Sequence, residues 1–203
     1  MKVFCIGRNY AAHIEELNNE VPTEPVVFIK PAPAVLSDNK PFYYPNFSND
    51  IHYEGELVCR ISKNGRAVAP QFALDYIDAV TVGIDFTARD LQEKQKQKGL
   101  PWEIAKAFDH SAVIGTWVPV ERDQLNNPFQ FELHKNGAAV QHGDTSLWLH
   151  NLPKMISYIS TYFTLQQGDV LFTGTPKGVG PIQINDEFSG HLAGKMLFET
   201  RIR

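Results

Sequence analysis

Hydrophobic and polar positions alternate along this chain in short runs that turn residues separate, and such a pattern predicts strands. Two Asn-Gly pairs, Asn64-Gly65 and Asn136-Gly137, stand between alternating runs and predict hairpins with type I′ turns, which need positive φ at both central positions. Further strands are predicted at PVVFIK, AVTVGID, FQFELHK, DVLFTG and KMLFETRIR. We therefore expect a β-rich α+β fold, a mixed β-sandwich or roll with short peripheral helices.

Two segments in the first half of the chain have the start and stop signals of helices. NYAAHIEEL has Asn9 as a candidate N-cap. TARDLQEKQKQKG is opened by Thr87 and Asp90, which resemble a capping box, and is closed by Gly99. We expect both helices to be short.

A third helix is predicted in NLPKMISYISTYF, where Asn151 is the candidate N-cap and Pro153 suits the first turn. The three lysines of the second helix, Lys94, Lys96 and Lys98, fall where that helix is predicted to end. They are interpreted as complementing the helix dipole. This cluster gives little support to a nucleic-acid partner.

The run IHYEGELVCRIS, residues 51–62, puts two carboxylates into an otherwise apolar strand. Because side chains alternate along a strand, Glu54 and Glu56 point to the same face, where like charges repel unless a cation or proton lies between them. One interpretation is a solvated outer face with Arg60 as partner. The other is a site for a hard metal ion, with Asp85 at the end of the next strong strand as the third oxygen ligand. Asp85 also suits a simple helix-entry role.

The composition is that of an ordinary globular protein. Hydrophobic residues make up 43% and charged residues 21% of 203 residues, and the formal net charge is −4. This length suits one domain, and the mild charge indicates neither nucleic-acid binding nor disorder. The start lacks the apolar core of a signal peptide, and no run of about 18 apolar residues predicts a membrane span. Only Cys5 and Cys59 are present, without metal-ligand spacing, so a reducing cytoplasm is expected.

Five ordered motifs then carry a resemblance. GRNY..H..E, HYEGEL, GIDFTARDLQ, KGLPWEIAKAFD and LFTGTPKGVGP, between Gly7 and Pro181, resemble the fumarylacetoacetate hydrolase family, with its short acylpyruvate hydrolases and oxaloacetate decarboxylases as the closest branch. The resemblance implies a mixed β-sandwich roll, commonly dimeric, and a single catalytic domain over residues 1–203. It also implies that Glu54, Glu56 and Asp85 hold one divalent metal ion, Mg²⁺ or Mn²⁺.

The resemblance implies three catalytic residues. His13 and Glu16 lie three positions apart on a predicted helix, so their side chains share a face. In the family such a pair activates water, and a lid segment orders over the site, here from His13 to about Pro25. Lys106 is implied to lie in the pocket and to stabilise enolate charge. Taken without the resemblance, His13 is as well explained as a structural residue and Lys106 as a surface lysine.

The implied substrate-binding residues lie in three segments. Their predicted members are Arg8, Tyr10, Arg89, Gln92, Gly174 and Thr175. Arg89 has a competing role as ion-pair partner of a metal-site carboxylate or of Asp90. The loop TGTPKGVG lacks the ending of a phosphate-binding loop, and its glycines instead allow backbone N–H groups to approach a ligand. His52 is a candidate for orienting a glutamate of the metal site.

These parts imply chemistry on a small-molecule 2-oxo acid, with no nucleic-acid or membrane partner. The preferred reading is hydrolysis of the C3–C4 bond of acylpyruvates through a metal-bound enolate, with oxaloacetate decarboxylation as a companion activity. The alternative is an oxaloacetate keto–enol tautomerase or an isomerase of a 2-oxo diacid. A third reading, a non-catalytic cation-binding module, would need the three carboxylates but not Lys106 or the His13/Glu16 pair.

Overall fold

The structure is a computed structural model that describes residues 1–16, 20–36 and 39–203. The strands are β1 (Val3–Gly7), β2 (Val26–Lys30), β3 (Val35–Leu36), β4 (Ile51–Tyr53), β5 (Gly55–Ile61), β6 (Ile77–Asp85), β7 (Thr87–Ala88), β8 (Ala112–Ile114), β9 (Val118–Pro119), β10 (Gln130–Lys135), β11 (Ala138–Asp144), β12 (Val170–Phe172), β13 (Gly180–Pro181), β14 (Glu187–Leu192) and β15 (Lys195–Arg201). The α-helices are α1 (Ala11–Glu16), α2 (Arg89–Lys98), α3 (Glu103–Lys106) and α4 (Leu152–Tyr162). Segments of 3₁₀ helix cover Ala32–Ala34, Pro70–Tyr76, Arg122–Asn126 and Thr145–Leu147.

The larger sheet runs in the order β2-β1-β12-β5-β6-β8-β3, and β9 also pairs with β6. It is mixed, because β1 is parallel to β12 and β3 to β8, while the other neighbours are antiparallel. A four-stranded sheet, β11-β10-β14-β15, contacts the central strands β5 and β6. The main core includes side chains of both sheets, such as Leu57, Ile84, Phe131, Phe188 and Phe198. The predicted β-rich sandwich is therefore confirmed.

The run of residues 51–62 forms two strands rather than the predicted one. β4 belongs to a small sheet with β13 and β7, β5 belongs to the larger sheet, and Glu54 lies at the break between them. The alternation is retained, since Leu57 and Cys59 face the main core while Val58 packs in a second cluster on the opposite face. Glu56 shares its face with Val58 and therefore points away from the main core.

One of the two predicted hairpins forms. Asn136 and Gly137 have φ of 52° and 82° and join β10 to β11, as a type I′ turn requires. The hairpin predicted at Asn64-Gly65 is wrong. Gly65 instead exchanges two backbone hydrogen bonds with Leu165, so a distant segment provides the pairing that the local turn would have given.

The helix α2 ends as predicted, with Gly99 in the left-handed conformation at φ 63°. Its predicted capping box is wrong, because the N-cap is Ala88 and no side chain caps the helix. The Thr87 hydroxyl instead accepts a hydrogen bond from Lys106, and Asp90 accepts one from Ser48.

The helix α4 begins as predicted, with the Asn151 side chain accepting a hydrogen bond from the N–H of Lys154. The N-cap prediction for Asn9 is wrong. Its amide donates to the carbonyls of His150 and Thr173 and accepts from the N–H of His150, so it connects distant segments. Residues 17–19 of the predicted helix and lid segment lie outside the described residues. Within the described ranges, no helix is long and apolar enough to cross a membrane.

Candidate active site

Three carboxylates converge where β5 begins and β6 ends. Glu56 lies opposite Gly83 on the paired strand, and the N–H of Asp85 donates to the carbonyl of Glu54 at 2.8 Å. One carboxylate oxygen from each of Glu54, Glu56 and Asp85 lies within 4.8 Å of the others, and all three residues are buried. The predicted metal-ligand set is therefore brought together in space.

The electrostatics of this group favour positive charge nearby. Burial raises the pKa of Glu56 well above its usual range, and the charges of Asp85 and Glu54 raise it further. Three buried carboxylates in contact repel one another unless a positive charge lies among them. Their oxygen atoms are the ligands preferred by hard divalent ions such as Mg²⁺ and Mn²⁺. The donor set therefore fits a divalent metal ion.

Lys106 lies among these carboxylates. Its ammonium donates hydrogen bonds to Glu54 and Asp85, both at 2.8 Å, and to the Thr87 hydroxyl at 2.6 Å. Arg89 donates to the other oxygen of Glu54 at 2.6 Å. Burial alone would raise the pKa of Glu54, but the charges of Lys106 and Arg89 outweigh it and hold this pKa far below its ordinary value. Glu54 is therefore ionised, and its carboxylate is held from two sides.

A second lysine, which the sequence analysis did not single out, contacts one of the three carboxylates. Lys30 is fully buried, and its ammonium lies 2.6 Å from Oδ1 of Asp85. The contact is an ion pair without the alignment of a hydrogen bond, since Oδ1 has no hydrogen-bond donor among the described residues. Lys30 also donates to the Lys106 carbonyl and to the Ser111 hydroxyl. It thereby connects a metal-site carboxylate to the backbone of the α3 segment.

The loop after β12 fixes Glu56. The N–H of Gly174 donates to Oε2 of Glu56 at 2.6 Å. Gly174 has φ 101°, and a Cβ on it would lie 2.6 Å from Cβ of Asn9, so both backbone conformation and space demand glycine. Thr175 lines the pocket, and its hydroxyl donates to the carbonyl of Gly55.

His13 and Glu16 form the predicted pair on α1. Nδ1 of His13 lies 3.2 Å from Oε2 of Glu16, and Glu16 also accepts a hydrogen bond from the N–H of Gly178. His13 is buried and lines the same pocket as the carboxylates. Burial lowers its pKa, although the charge of Glu54 and the hydrogen bond to Glu16 act in the opposite direction. The imidazole is therefore neutral near pH 7 and able to accept a proton.

Three further residues singled out in the sequence have partners within the protein. Arg89 serves the competing role named for it, as ion-pair partner of Glu54, and also donates to Gln92. Tyr10 is buried and pairs with Trp148 through its backbone, and it is not among the described residues that line the pocket. His52 pairs with Asp50 rather than with a glutamate of the site.

Both cationic and apolar side chains line the pocket that contains the carboxylates. The cationic lining residues are Arg8, Arg89, Lys96 and Lys106. The apolar lining residues are Ile6, Phe28 and Trp102. Of these, Lys96 was interpreted only as a helix-end residue, and Phe28 and Trp102 were not predicted as site residues. Lys30 had one visible signal, because it is the single charge in the apolar run PVVFIK.

Comparisons with known proteins find relatives that align over most of the chain. The family model described as Fumarylacetoacetate (FAA) hydrolase C-terminal matches residues 2–203. The chain is 40% identical over 192 residues to oxaloacetate tautomerase FAHD1, mitochondrial, of Homo sapiens, covering 95% of this chain and 87% of the relative. It is 39% identical over 183 residues to oxaloacetate decarboxylase, mitochondrial, of Dictyostelium discoideum, covering 90% of this chain and 84% of the relative.

A solved structure shows the same architecture. The fumarylpyruvate hydrolase of Pseudomonas aeruginosa, in complex with Mn²⁺ and pyruvate, superposes with a TM-score of 0.93 at 36% identity, covering 100% of this chain and 89% of that one. The predicted fold and the resemblance carried by the five motifs are confirmed.

Proposed function

This chain belongs to the fumarylacetoacetate hydrolase family, and from this membership we propose that it hydrolyses the C3–C4 bond of acylpyruvates to give pyruvate and a carboxylic acid. The observation that carries the proposal is a buried histidine, paired with a glutamate, that lines the same pocket as three convergent carboxylates. We propose one catalytic domain over residues 1–203.

Glu54, Glu56 and Asp85 are the proposed ligands of a divalent ion, Mg²⁺ or Mn²⁺. When bound, such an ion would act as a Lewis acid towards a 2-oxo acid and would stabilise negative charge on its 2-oxo oxygen. Lys106 lines the same pocket, and its positive charge is proposed to support the same negative charge. Arg89 and Gln92 line the same pocket and are proposed to contact the substrate.

The His13/Glu16 pair is proposed to activate water. His13 accepts a proton from water, and Glu16 orients the imidazole and stabilises its charged form. The resulting hydroxide adds to the C4 carbonyl, and the C3–C4 bond breaks with its electron pair passing into the C2–C3 enolate. Protonation at C3 then gives pyruvate, while C4 leaves as the carboxylic acid.

A second candidate is keto–enol tautomerisation of oxaloacetate. It is favoured by the relative of Homo sapiens that carries this name and aligns over 95% of the chain. The same residues suffice, because His13 would exchange a proton at C3 without any attack by water. Decarboxylation of oxaloacetate, suggested by the Dictyostelium relative, would likewise form the enolate without a nucleophile.

A parallel assay separates these reactions. The purified protein is given acetylpyruvate, fumarylpyruvate, keto-oxaloacetate and enol-oxaloacetate, each with Mn²⁺ and after chelation. The proposal predicts metal-dependent release of pyruvate from at least one of the acylpyruvates. Turnover confined to oxaloacetate would reject hydrolysis in favour of the second candidate. Acylpyruvate hydrolysis that is unchanged after exhaustive chelation would reject the proposed role of the metal ion.

Assembly and compartment are part of the same proposal. The homodimer follows from the family resemblance, and light scattering of the purified protein tests it. The cytoplasm was expected from the sequence composition, whereas both named relatives carry the word mitochondrial in their names. Fractionation of the source cells tests the compartment.

A further inference from the structure

The loop after β12 donates backbone hydrogen bonds to two groups of the site. The N–H of Gly174 donates to Glu56, a proposed metal ligand, at 2.6 Å. The N–H of Gly178, at the other end of the loop, donates at 3.1 Å to Glu16, the partner of His13. The position of this loop therefore affects both the metal ligands and the pair that is proposed to activate water.

A buried glutamine from the four-stranded sheet holds this loop. Gln141 lies on β11 and is 1% exposed. Its Nε2 donates to the Thr175 hydroxyl at 2.8 Å and to the Pro176 carbonyl at 2.9 Å, and its Oε1 accepts from the N–H of Gly55 at 2.7 Å. Gly55 is the residue between the two glutamates of the site. Gln141 therefore connects the loop to the segment that carries two of the proposed metal ligands.

Gly55, Gln141 and Thr175 form a closed ring of hydrogen bonds. The Thr175 hydroxyl donates to the carbonyl of Gly55 at 2.9 Å, which completes the path from Gly55 through Gln141 to Thr175 and back. Because the N–H of Gly55 can only donate, the oxygen of the glutamine amide must face it and the nitrogen must face Thr175. In a buried ring each bond polarises the next, so the loss of one member weakens the other bonds.

A β-bulge in β11 sets the direction of the glutamine side chain. Leu133 of β10 pairs with Gln141, whereas His134 pairs with Ala139, so Val140 is an extra residue in β11. Such bulges are frequent next to active sites, where they redirect a side chain. The inward direction of Gln141, beside the fully buried Leu133, therefore follows from the local strand geometry.

Two glycines allow the segments around Gln141 to approach closely. A Cβ on Gly55 would lie 3.0 Å from Oε1 of Gln141, and a Cβ on Gly178 would lie 2.5 Å from the carbonyl oxygen of Val140. Gly178 also has φ 98°, which favours glycine. Because β11 contacts both the start of β5 and the loop, a small shift of β11 would move both.

We propose that Gln141 is a positioning residue that fixes the two metal-ligand glutamates relative to the loop after β12. It is not among the described residues that line the pocket, so it acts through Gly55 and Thr175 rather than on a substrate. The inference rests on the metal site of the proposed function. It implies that the affinity for a divalent ion depends on an amide that does not itself bind the ion.

The test is the Mn²⁺ affinity of the purified protein, measured by calorimetry without substrate. Gln141→Met removes all three hydrogen bonds with a side chain of similar length, and Thr175→Val removes the hydroxyl at similar shape. We expect each change to weaken Mn²⁺ binding by on the order of 10- to 100-fold, as for other residues that orient metal ligands. Thr175→Ser retains a hydroxyl and should recover most of the affinity that Thr175→Val loses.

The double variant Gln141→Met/Thr175→Val tests the ring itself. Both single changes break the same ring, so the affinity of the double variant should be close to that of the weaker single variant. Independent effects would instead multiply. Multiplied losses would overturn the ring as the means by which Gln141 acts.

Ser160→Ala is the matched control for the loss of a buried polar side chain. Ser160 is fully buried on α4, where its hydroxyl accepts from the N–H of Val68 and donates to the carbonyl of Ser157. Its loss should lower the Tm but leave the Mn²⁺ affinity at the wild-type value. Wild-type affinity in Gln141→Met, or an equal loss of affinity in Ser160→Ala, would overturn the inference.

Two further outcomes are decided by the same measurements. If Gln141→Met does not fold, as judged by circular dichroism, the pair Thr175→Val and Thr175→Ser decides, and equal affinities of these two would overturn the inference. No turnover of any 2-oxo acid would reject the proposed reaction, while the Mn²⁺ affinities would still test the role of Gln141. A wild type that binds no Mn²⁺ would overturn the inference together with the metal site.

Discussion

The ammonium of Lys30 lies 2.6 Å from Oδ1 of Asp85, and neither side chain has appreciable contact with solvent. Without Lys30, the buried carboxylates of Asp85 and Glu54 share the ammonium of Lys106, so the charge in the protein interior is no longer balanced. We therefore expect Lys30→Met to lower the free energy of unfolding of the metal-free protein by about 3–5 kcal/mol, measured by urea denaturation.

A surface pair provides the control. Lys154 and Glu24 are 2.7 Å apart but about half exposed, so Lys154→Met should cost at most about 1 kcal/mol. Adding Asp85→Asn to Lys30→Met should restore part of the lost stability, because it removes the buried carboxylate charge that lost Lys30 as a partner. Equal losses for Lys30→Met and Lys154→Met would contradict the role given to Lys30.

His13 separates the candidate reactions. Under the proposed mechanism His13→Ala removes the base that activates water, so acylpyruvate hydrolysis should fall on the order of 100-fold. Oxaloacetate decarboxylation needs no attacking water and should fall much less. Initial rates with fumarylpyruvate and keto-oxaloacetate at saturating Mn²⁺ measure both. A similar loss in the two reactions would show that His13 is not the base for water.

The pH dependence follows from the environment of His13. Burial lowers its pKa below the ordinary value of about 6.5, and the base acts only when neutral. The acidic limb of kcat/KM should therefore have its midpoint below that value.

Removing Glu16 should shift this limb in a defined direction. The carboxylate of Glu16 favours the protonated imidazole and so raises the pKa of His13. Glu16→Gln should move the midpoint to lower pH and reduce the plateau rate, because the base is weaker and less well oriented. The profile is recorded at saturating Mn²⁺, and a midpoint displaced to higher pH would refute the pairing.

The sequence predicted the metal-ligand candidates of the site but not Lys30, the buried lysine that pairs with one of them. Glu54, Glu56 and Asp85 became candidates because carboxylates in apolar strands conflict with burial, and the resemblance of the five motifs implied that they bind one metal ion. The charge of Lys30 also conflicts with burial, but Lys30 is the last residue of an apolar run, and charged residues are common at the ends of ordinary strands. Its partner lies 55 positions away on another strand.

The wrong predictions have a common physical cause. Gly65 pairs with Leu165, and the Asn9 amide bonds to His150 and Thr173, so distant groups replace the local turn and cap. Local signals report only what a short segment prefers, and tertiary contacts decide between comparable alternatives. Asn136-Gly137 and Asn151 were predicted correctly because local preference and the fold agree there.

Gly174 tests whether the loop after β12 positions Glu56. Gly174→Ala places a Cβ 2.6 Å from Cβ of Asn9, so the loop must shift and the N–H must leave Glu56. We expect Mn²⁺ affinity, measured by calorimetry, to fall roughly tenfold, the loss of one hydrogen bond to a charged group.

Gly168→Ala is the matched control for Gly174→Ala. Gly168 also has positive φ, 87°, but a Cβ there meets nothing within 4 Å. Both variants should lose about 1–2 kcal/mol of stability from left-handed strain. Only Gly174→Ala should lose metal affinity, and equal affinities would show that the loop does not position Glu56.

The most direct test of the account is the position of the metal ion. Crystals grown with Mn²⁺ and oxalate, which mimics the 2-oxo acid end of the substrate, are measured at the manganese absorption edge. The account predicts one strong anomalous peak at a manganese ion, and this ion is bound by one oxygen from each of Glu54, Glu56 and Asp85 and by both carboxylates of oxalate. An empty position between these carboxylates, or manganese bound elsewhere with oxalate beside it, would contradict it.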